Sequence, residues 1–174
     1  MGCLIGRGRS HAGMRGYKGM LEGVSNHAGS TPMFLRQDPL LGAAQIITAV
    51  NEAAAQTENG TVVATVGKIA CHPNASNAIN EKVELFVDIR DVEEDGIASI
   101  STYLEKAVQD ACQKHRIKGT VDMIAQSDVV HLDPDIVGVL CSAAERQKLP
   151  CHSMNSGAVH DAVMMTGVTK VGMI

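Results

Sequence analysis

The run EKVELFVDIR, residues 81–90, constrains the fold of this chain more than any other stretch. Val83, Leu85, Val87 and Ile89 fall on one side of an extended chain, and Glu84, Phe86, Asp88 and Arg90 on the other. Successive side chains of a strand point to opposite faces, so this strand has one face to bury and one to wet. The covering face must come from elsewhere in the chain. Residues 15–25, RGYKGMLEGVS, alternate in the same way, with Tyr17, Gly19 and Leu21 set against Lys18, Met20 and Glu22. TVVATVGKIA (61–70) is rich in β-branched residues, and IKGTVDMIA (117–125) reads as a further strand.

Two helical patterns lie between these strands. Asp38 is placed to cap a helix that starts with Pro39. Leu40, Ala43, Ala44, Ile47, Val50 and Ala54 then recur at helical spacing, and TENG (57–60) stops the run. DVEE (91–94) predicts a capping box, with Asp91 as cap and Glu94 reaching back. Ile97, Ile100, Leu104, Val108 and Ala111 form the buried stripe of that second helix. The order to residue 126 is β-α-β-β-α-β. This is the ferredoxin-like plan, an α+β fold with four strands and two helices on one face of the sheet.

A domain boundary is expected near AQSDVV (125–130). Beyond it, PDIVGVLCSAAERQK (134–148) predicts a helix. A small-residue loop, a second helix start and an apolar strand, KVGMI (170–174), are expected to follow. Fewer than fifty residues do not bury a core of their own, so 127–174 reads as an incomplete α/β piece of a longer protein.

Composition narrows the function. Aromatic residues are 2% of the 174, Trp is absent and the formal net charge is -4. That disfavours nucleic-acid binding, which uses basic surfaces and stacking platforms. No apolar run is long enough to span a membrane, and no signal peptide is evident. Cys3, Cys71, Cys112, Cys141 and Cys151 are irregularly spaced, which fits reduced thiols in a cytoplasmic protein.

Seven histidines invite a metal reading, but none shows a close chelating pair and HExxH is absent. Taken singly, most read as surface or loop residues. His27 stands alone in SNHAGSTPMFLRQDP (25–39). His160 follows Ser156, Gly157 and Ala158 and precedes Asp161. Small residues let a backbone approach a ligand, and Asp161 could cap the next helix or tune the ring. A plain glycine-containing loop explains the same residues. A Ser-His-Asp triad is conceivable, though GAVH is not a nucleophile elbow. Arg90, on the polar face of its strand, could fork onto a carboxylate. An ion pair with Asp88, Asp91 or Glu84 is the plainer reading. Asn77 sits in the preceding loop, where an Asx turn accounts for it equally well.

Together, EGVSNHAGSTPMFLRQDPLLGAA (22–44), TVGKIACHPNASNAINEKVELFVDIRD (65–91) and MNSGAVHDA (154–162) resemble the amidase, hydantoinase and carbamoylase family. That family lies within the metal-dependent aminoacylase and carboxypeptidase superfamily, and includes allantoate amidohydrolase, N-carbamoyl-L-amino-acid amidohydrolase and β-ureidopropionase. The resemblance runs from about residue 14 to the end, with 1–13 unmatched, 14–126 as a ferredoxin-like lid and dimerisation domain, and 127–174 as part of the catalytic domain.

The resemblance implies a C–N hydrolase of ureido or carbamoyl substrates. A metal-bound hydroxide attacks, a glutamate acts as general base, and two zinc or manganese ions sit in the catalytic domain. It implies that His27 reaches into a partner subunit's site and polarises the substrate carbonyl. Asn77 and Arg90 would bind the substrate carboxylate, with His160, Gly157 and Ala158 against the substrate. His27 and His160 are the catalytic expectation.

Departures from the family are Val159, where glycine is usual, and Asn80-Glu81, where Pro-Gly is usual. His11 has the wrong surroundings for the family's upstream ligand. No metal ligand of the family is matched, so the chain is expected to be inactive alone. Two other classes compete: a non-enzymatic homodimeric module that binds a small carboxylate, and a peptidase or aminoacylase of the same superfamily. Asn77 ahead of the strand ending in Arg90, together with NHAGSTPM, favours the carbamoylase branch over the latter.

Overall fold

A computed structural model describes residues 5–58, 60–158 and 160–174. Cys3, Asn59 of the helix stop and Val159 lie outside the described residues.

The alternating strands build one sheet. β2 (Gly13–Glu22), β3 (Val63–His72), β4 (Lys82–Asp91) and β5 (Lys118–Ser127) assemble in the order β3-β4-β2-β5, all antiparallel. α1 (Pro39–Ala55) and α2 (Glu94–His115) supply the covering face. Every residue of β2 pairs with one of β4, from Gly13 opposite Asp91 to Glu22 opposite Lys82. This register sets Tyr17 and Leu21 on the same buried side as Val83, Leu85, Val87 and Ile89. Gly19 faces Leu85, and a Cβ there would come within 2.9 Å of the leucine Cδ1, so the glycine admits the larger neighbour. The predicted stripe of α2 is buried at all five positions.

α1 begins as expected. Asp38 accepts from the amides of Leu40 (3.0 Å) and Leu41 (3.4 Å), and Pro39 opens the helix. Its buried face differs from the predicted one. Gly42, Ala43, Ile46, Val50 and Ala54 face the sheet, while Leu40, Leu41 and Ala44 are exposed. Apolar residues extend to both sides of the buried face, with only Gln45, Thr48, Asn51 and Glu52 polar, so spacing alone leaves the inward face open. Packing decides it: Gly42 comes so close to Ile117 that a Cβ would lie 2.6 Å from its Cδ1.

The capping box of α2 is not formed. Asp91 accepts from Val92 N (2.7 Å), and Glu93 occupies the cap position without a side-chain bond. Glu94 instead bonds Arg15 Nη2 (3.1 Å) and accepts from Val129 N (3.2 Å). It ties the helix to β2 and to the chain leaving β5.

A second, three-stranded sheet has the order β6-β1-β7, from β1 (Ile5–His11), β6 (Val130–His131) and β7 (Cys151–Ser156). β1 is antiparallel to β6 and parallel to β7. The first strand therefore joins the C-terminal residues. α3 (Pro134–Arg146) lies where predicted, capped by Asp133. Two expectations fail here. The stretch read as a loop contains β7, because CHSMNS has no apolar alternation and is extended by pairing with β1. KVGMI (170–174) is in no strand. It is held by Gly8 N–H on Met173 O (3.0 Å) and Asp133 N–H on Val171 O (2.9 Å). Among the described residues no helix is long and apolar enough to cross a membrane, and Cys71 and Cys112 are free thiols.

Candidate functional site

The residues singled out in the sequence fall into two groups, at opposite ends of β4. The first is built from two loops. The loop after β2 carries His27, and the loop between β3 and β4 carries Asn77. Ala28 N–H donates to Asn77 O (2.8 Å), Ile79 N–H donates to Asn26 O (2.8 Å), and His27 and Ala78 form an isolated antiparallel bridge. Both His27 and Asn77 are exposed.

Two arginines fix this loop by donating to its carbonyls. Arg36 bonds Ala28 O (2.5 Å) and Thr31 O (3.0 Å), and Arg116 bonds Phe34 O and Arg36 O. Local sequence offers no hint of the part played by Arg116, which stands 82 residues from Phe34. Asn80 is buried, and its side-chain oxygen accepts from Asn74 N (2.9 Å), so the departure at Asn80-Glu81 is absorbed by a side-chain bond within the turn.

His27 Nδ1 accepts from Gly29 N–H (3.1 Å). An imidazole nitrogen that accepts carries no proton, so in the neutral ring the hydrogen resides on Nε2. The exposed ring thus offers an N–H donor, the form that can polarise a carbonyl oxygen.

The second group lies near the far end of β4. Arg90 Nε and Nη2 fork onto both oxygens of Asp88 (2.7 and 3.0 Å), the plainer of the two sequence readings. This pairing raises the Arg90 pKa further, against a smaller opposing effect of burial. Nη1 donates to Gly157 O (2.9 Å). Of five guanidinium N–H groups, three are then engaged, which leaves one on each terminal nitrogen.

Gly157 is thereby drawn against the first sheet. His160 is exposed, and its Nδ1 accepts from Ala162 N–H (3.1 Å). By the same argument its proton sits on Nε2. Asp161 makes no side-chain cap on α4 (Ala162–Met165), so the predicted capping role passes to the ring of His160. Ala158 O accepts from Ser156 Oγ (2.9 Å).

The fold also adds a residue that spacing had set aside. His11 is 1% exposed, against the surface or loop position expected for most of the histidines. Its ring stacks on that of His160, with centroids 6.1 Å apart and planes at 25°. Local pattern could not find it, since its partners lie nearly 150 residues away.

The two groups do not meet within one chain. Eight residue-to-residue steps of strand, Lys82 to Arg90, separate their ends, a span of about 26 Å. Among the described residues no three His, Cys, Asp or Glu side chains converge to hold a metal ion. The residues present do not fit the two-ion centre that the resemblance implies.

No family model matches the chain. It is 32% identical over 163 residues to an N-carbamoyl-L-amino-acid amidohydrolase of Pseudomonas sp. (strain NS671), covering 94% of this chain and 39% of that protein. It is 30% identical to an allantoate deiminase of Arabidopsis thaliana, covering 100% of this chain and 38% of that one. The chain thus spans about two fifths of the length of these relatives.

A hydantoinase/carbamoylase family amidase from Burkholderia multivorans superposes with a TM-score of 0.90 at 31% identity, over 96% of this chain and 41% of its own. A further structure, described as AtUAH in complex with glyoxylate, has the same TM-score at 28% identity, over 97% of this chain and 40% of its own. Sequence and fold together place this chain, over nearly all of its length, with the hydantoinase/carbamoylase family of amidases.

Proposed function

We propose that this chain supplies the lid and part of the substrate site of an amidohydrolase that cleaves the C–N bond of a ureido or carbamoyl carboxylate. In this reading residues 14–126 are the lid and 127–174 belong to the catalytic domain. β1 pairs with β6 and β7, which supports grouping residues 5–11 with the latter. The relatives are named for N-carbamoyl-L-amino acids and allantoate, which supports that substrate class.

The observation that carries the proposal is the separation of the two groups. His27 and Asn77 present polar groups at one end of the sheet. Arg90, Gly157, Ala158 and His160 present theirs near the other. One small substrate cannot bridge about 26 Å, but two copies of the chain can bring opposite ends together. The site is then shared in a homodimer. Nε2–H of His27 donates to the ureido oxygen and draws charge from the carbon that water attacks. Asn77 orients the substrate. The free N–H groups of Arg90, held in place by Asp88, take the carboxylate. His160 donates from Nε2 beside the small residues Gly157 and Ala158.

Two zinc or manganese ions are proposed for the whole enzyme, with donors from outside the described residues. The cytoplasm is the proposed compartment. The absence of a converging ligand set among the described residues gives one specific reason to keep a second reading, a homodimeric module that binds a small carboxylate without turnover.

The test is calorimetric titration with an N-carbamoyl-L-amino acid and with its analogue lacking the carboxylate. Binding should require the carboxylate, and Arg90→Ala should weaken it by about tenfold or more. Equal affinity for the two compounds would remove Arg90 from the site. Mixing His27→Ala and Arg90→Ala chains should restore about a quarter of the sites, because a mixed dimer keeps one intact pair. No restoration would argue against a shared site. Turnover with added manganese would decide against the module.

A further inference from the structure

His11 is almost fully buried at the end of β1, where the chain passes from the second sheet into the first. Its Nδ1 lies 3.2 Å from Ala158 O. A carbonyl oxygen only accepts, so Nδ1 carries the proton. Its Nε2 is then an acceptor, buried and without a partner among the described residues. An apolar side chain would fill this place without an orphaned acceptor. What histidine alone supplies here is the combination of a donor on Ala158 and a flat ring against His160. The 6.1 Å separation and small tilt fall within the range of offset aromatic stacking.

The surrounding bonds converge on the same short turn. Gly157 O is held by Arg90, and Ala158 O by both His11 and Ser156 Oγ. Ser156 O in turn accepts from Ala12 N–H (2.9 Å), next to His11 in sequence.

We propose that His11 is a positioning residue, which sets Gly157 and Ala158 against the first sheet and holds the His160 ring in its Nε2–H form toward the substrate side. It does not touch substrate. The consequence for binding rests on the reading of His160 given above, whereas the positioning itself does not.

The two roles of His11 separate by substitution. His11→Asn keeps a side-chain N–H near the place of Nδ1 and removes the ring. His11→Phe keeps a ring and removes the donor. Nitrogen-15 NMR of the intact chain reads the His160 tautomer directly. Hydrogen exchange at Ala162, whose amide donates to His160 Nδ1, reads the turn, with the amides of the four-stranded sheet as internal reference.

His11→Phe should speed exchange at Ala162 about fivefold relative to that sheet and bring in the second His160 tautomer, while His11→Asn should hold exchange within about twofold of the parent. If His11→Phe leaves both signals at parent values, the proposal fails. It also fails if both variants loosen Ala162 only in step with the reference sheet. Ser156→Ala removes the exposed second donor to the same carbonyl and leaves the core untouched. It should raise exchange at Ala162 by about twofold, and no change there would also overturn the proposal. If His11→Phe changes the tautomer and leaves N-carbamoyl amino acid affinity unchanged, the positioning stands and the substrate contact of His160 falls.

Discussion

The two sheets of this molecule solve the same problem unequally. The four-stranded sheet buries a continuous core of Leu21, Ile46, Val50, Val83, Leu85, Ile89, Ile97 and Leu104 under two helices. The three-stranded sheet has little beneath it. α3 buries only Ala144, while Val139, Met154, Met164, Val168 and Ile174 are at least half exposed. Clusters of exposed apolar side chains are uncommon on a solitary soluble domain and mark surfaces that another body covers. Stability therefore resides in the first sheet, while the second region carries Gly157, Ala158 and His160 of the proposed site. Arg90 and Glu94 join the two regions, through Gly157 and Val129.

A matched pair of truncations tests this contrast most directly. Leu85→Ala, at a fully buried central position, should cost about 2–5 kcal/mol in denaturant unfolding. Val139→Ala, 61% exposed, should stay within about 0.5 kcal/mol. Similar losses from the two would mean that the second region has a core of its own in solution. Caps offer a finer contrast. Asp38→Ala removes a bonded cap from α1 and should cost about 1 kcal/mol, whereas Asp161→Ala removes none and should leave the melting temperature unchanged. Glu94→Ala should cost about 1 kcal/mol and speed amide exchange at Val129.

The smallest effect concerns pH. Burial lowers the pKa of His115 below 6.5, Lys114 adds to the lowering and Asp38 opposes it. The folded chain therefore favours the neutral ring, and the unfolded chain binds more protons below pH 6.5. Its contribution is complete above that pH and fades as the pH falls through the folded-state value. His115→Gln should flatten this acid limb in the unfolding free energy of the four-stranded sheet.

Much of the first sheet was legible because its signals are local. Alternation in residues 81–90, the spacing from Ile97 to Ala111 and the Asp38-Pro39 start each lie within one element, where periodicity and capping act directly. Where a local signal had a competitor it failed. α1 carries apolar residues well beyond its buried face, Leu40, Leu41 and Ala44 among them, so packing against Ile117 chose the inward side. Glu94 found Arg15 and Val129 in place of its own helix amides. In the candidate site, resemblance named His27, Asn77, Arg90 and His160, and the fold placed them without joining them in one chain. β7 carries no alternation and exists through its pairing with β1.

A four-stranded sheet with one wet face and two covering helices is already written in the order of the residues, because side-chain period and end caps are properties of neighbours along the chain. That Arg90 meets Gly157 across 67 residues, and His11 meets Ala158 across 147, follows from the packed fold alone. Such contacts are made after the elements form. Their geometry depends on how the two sheets are joined, and that leaves no period in the chain to read.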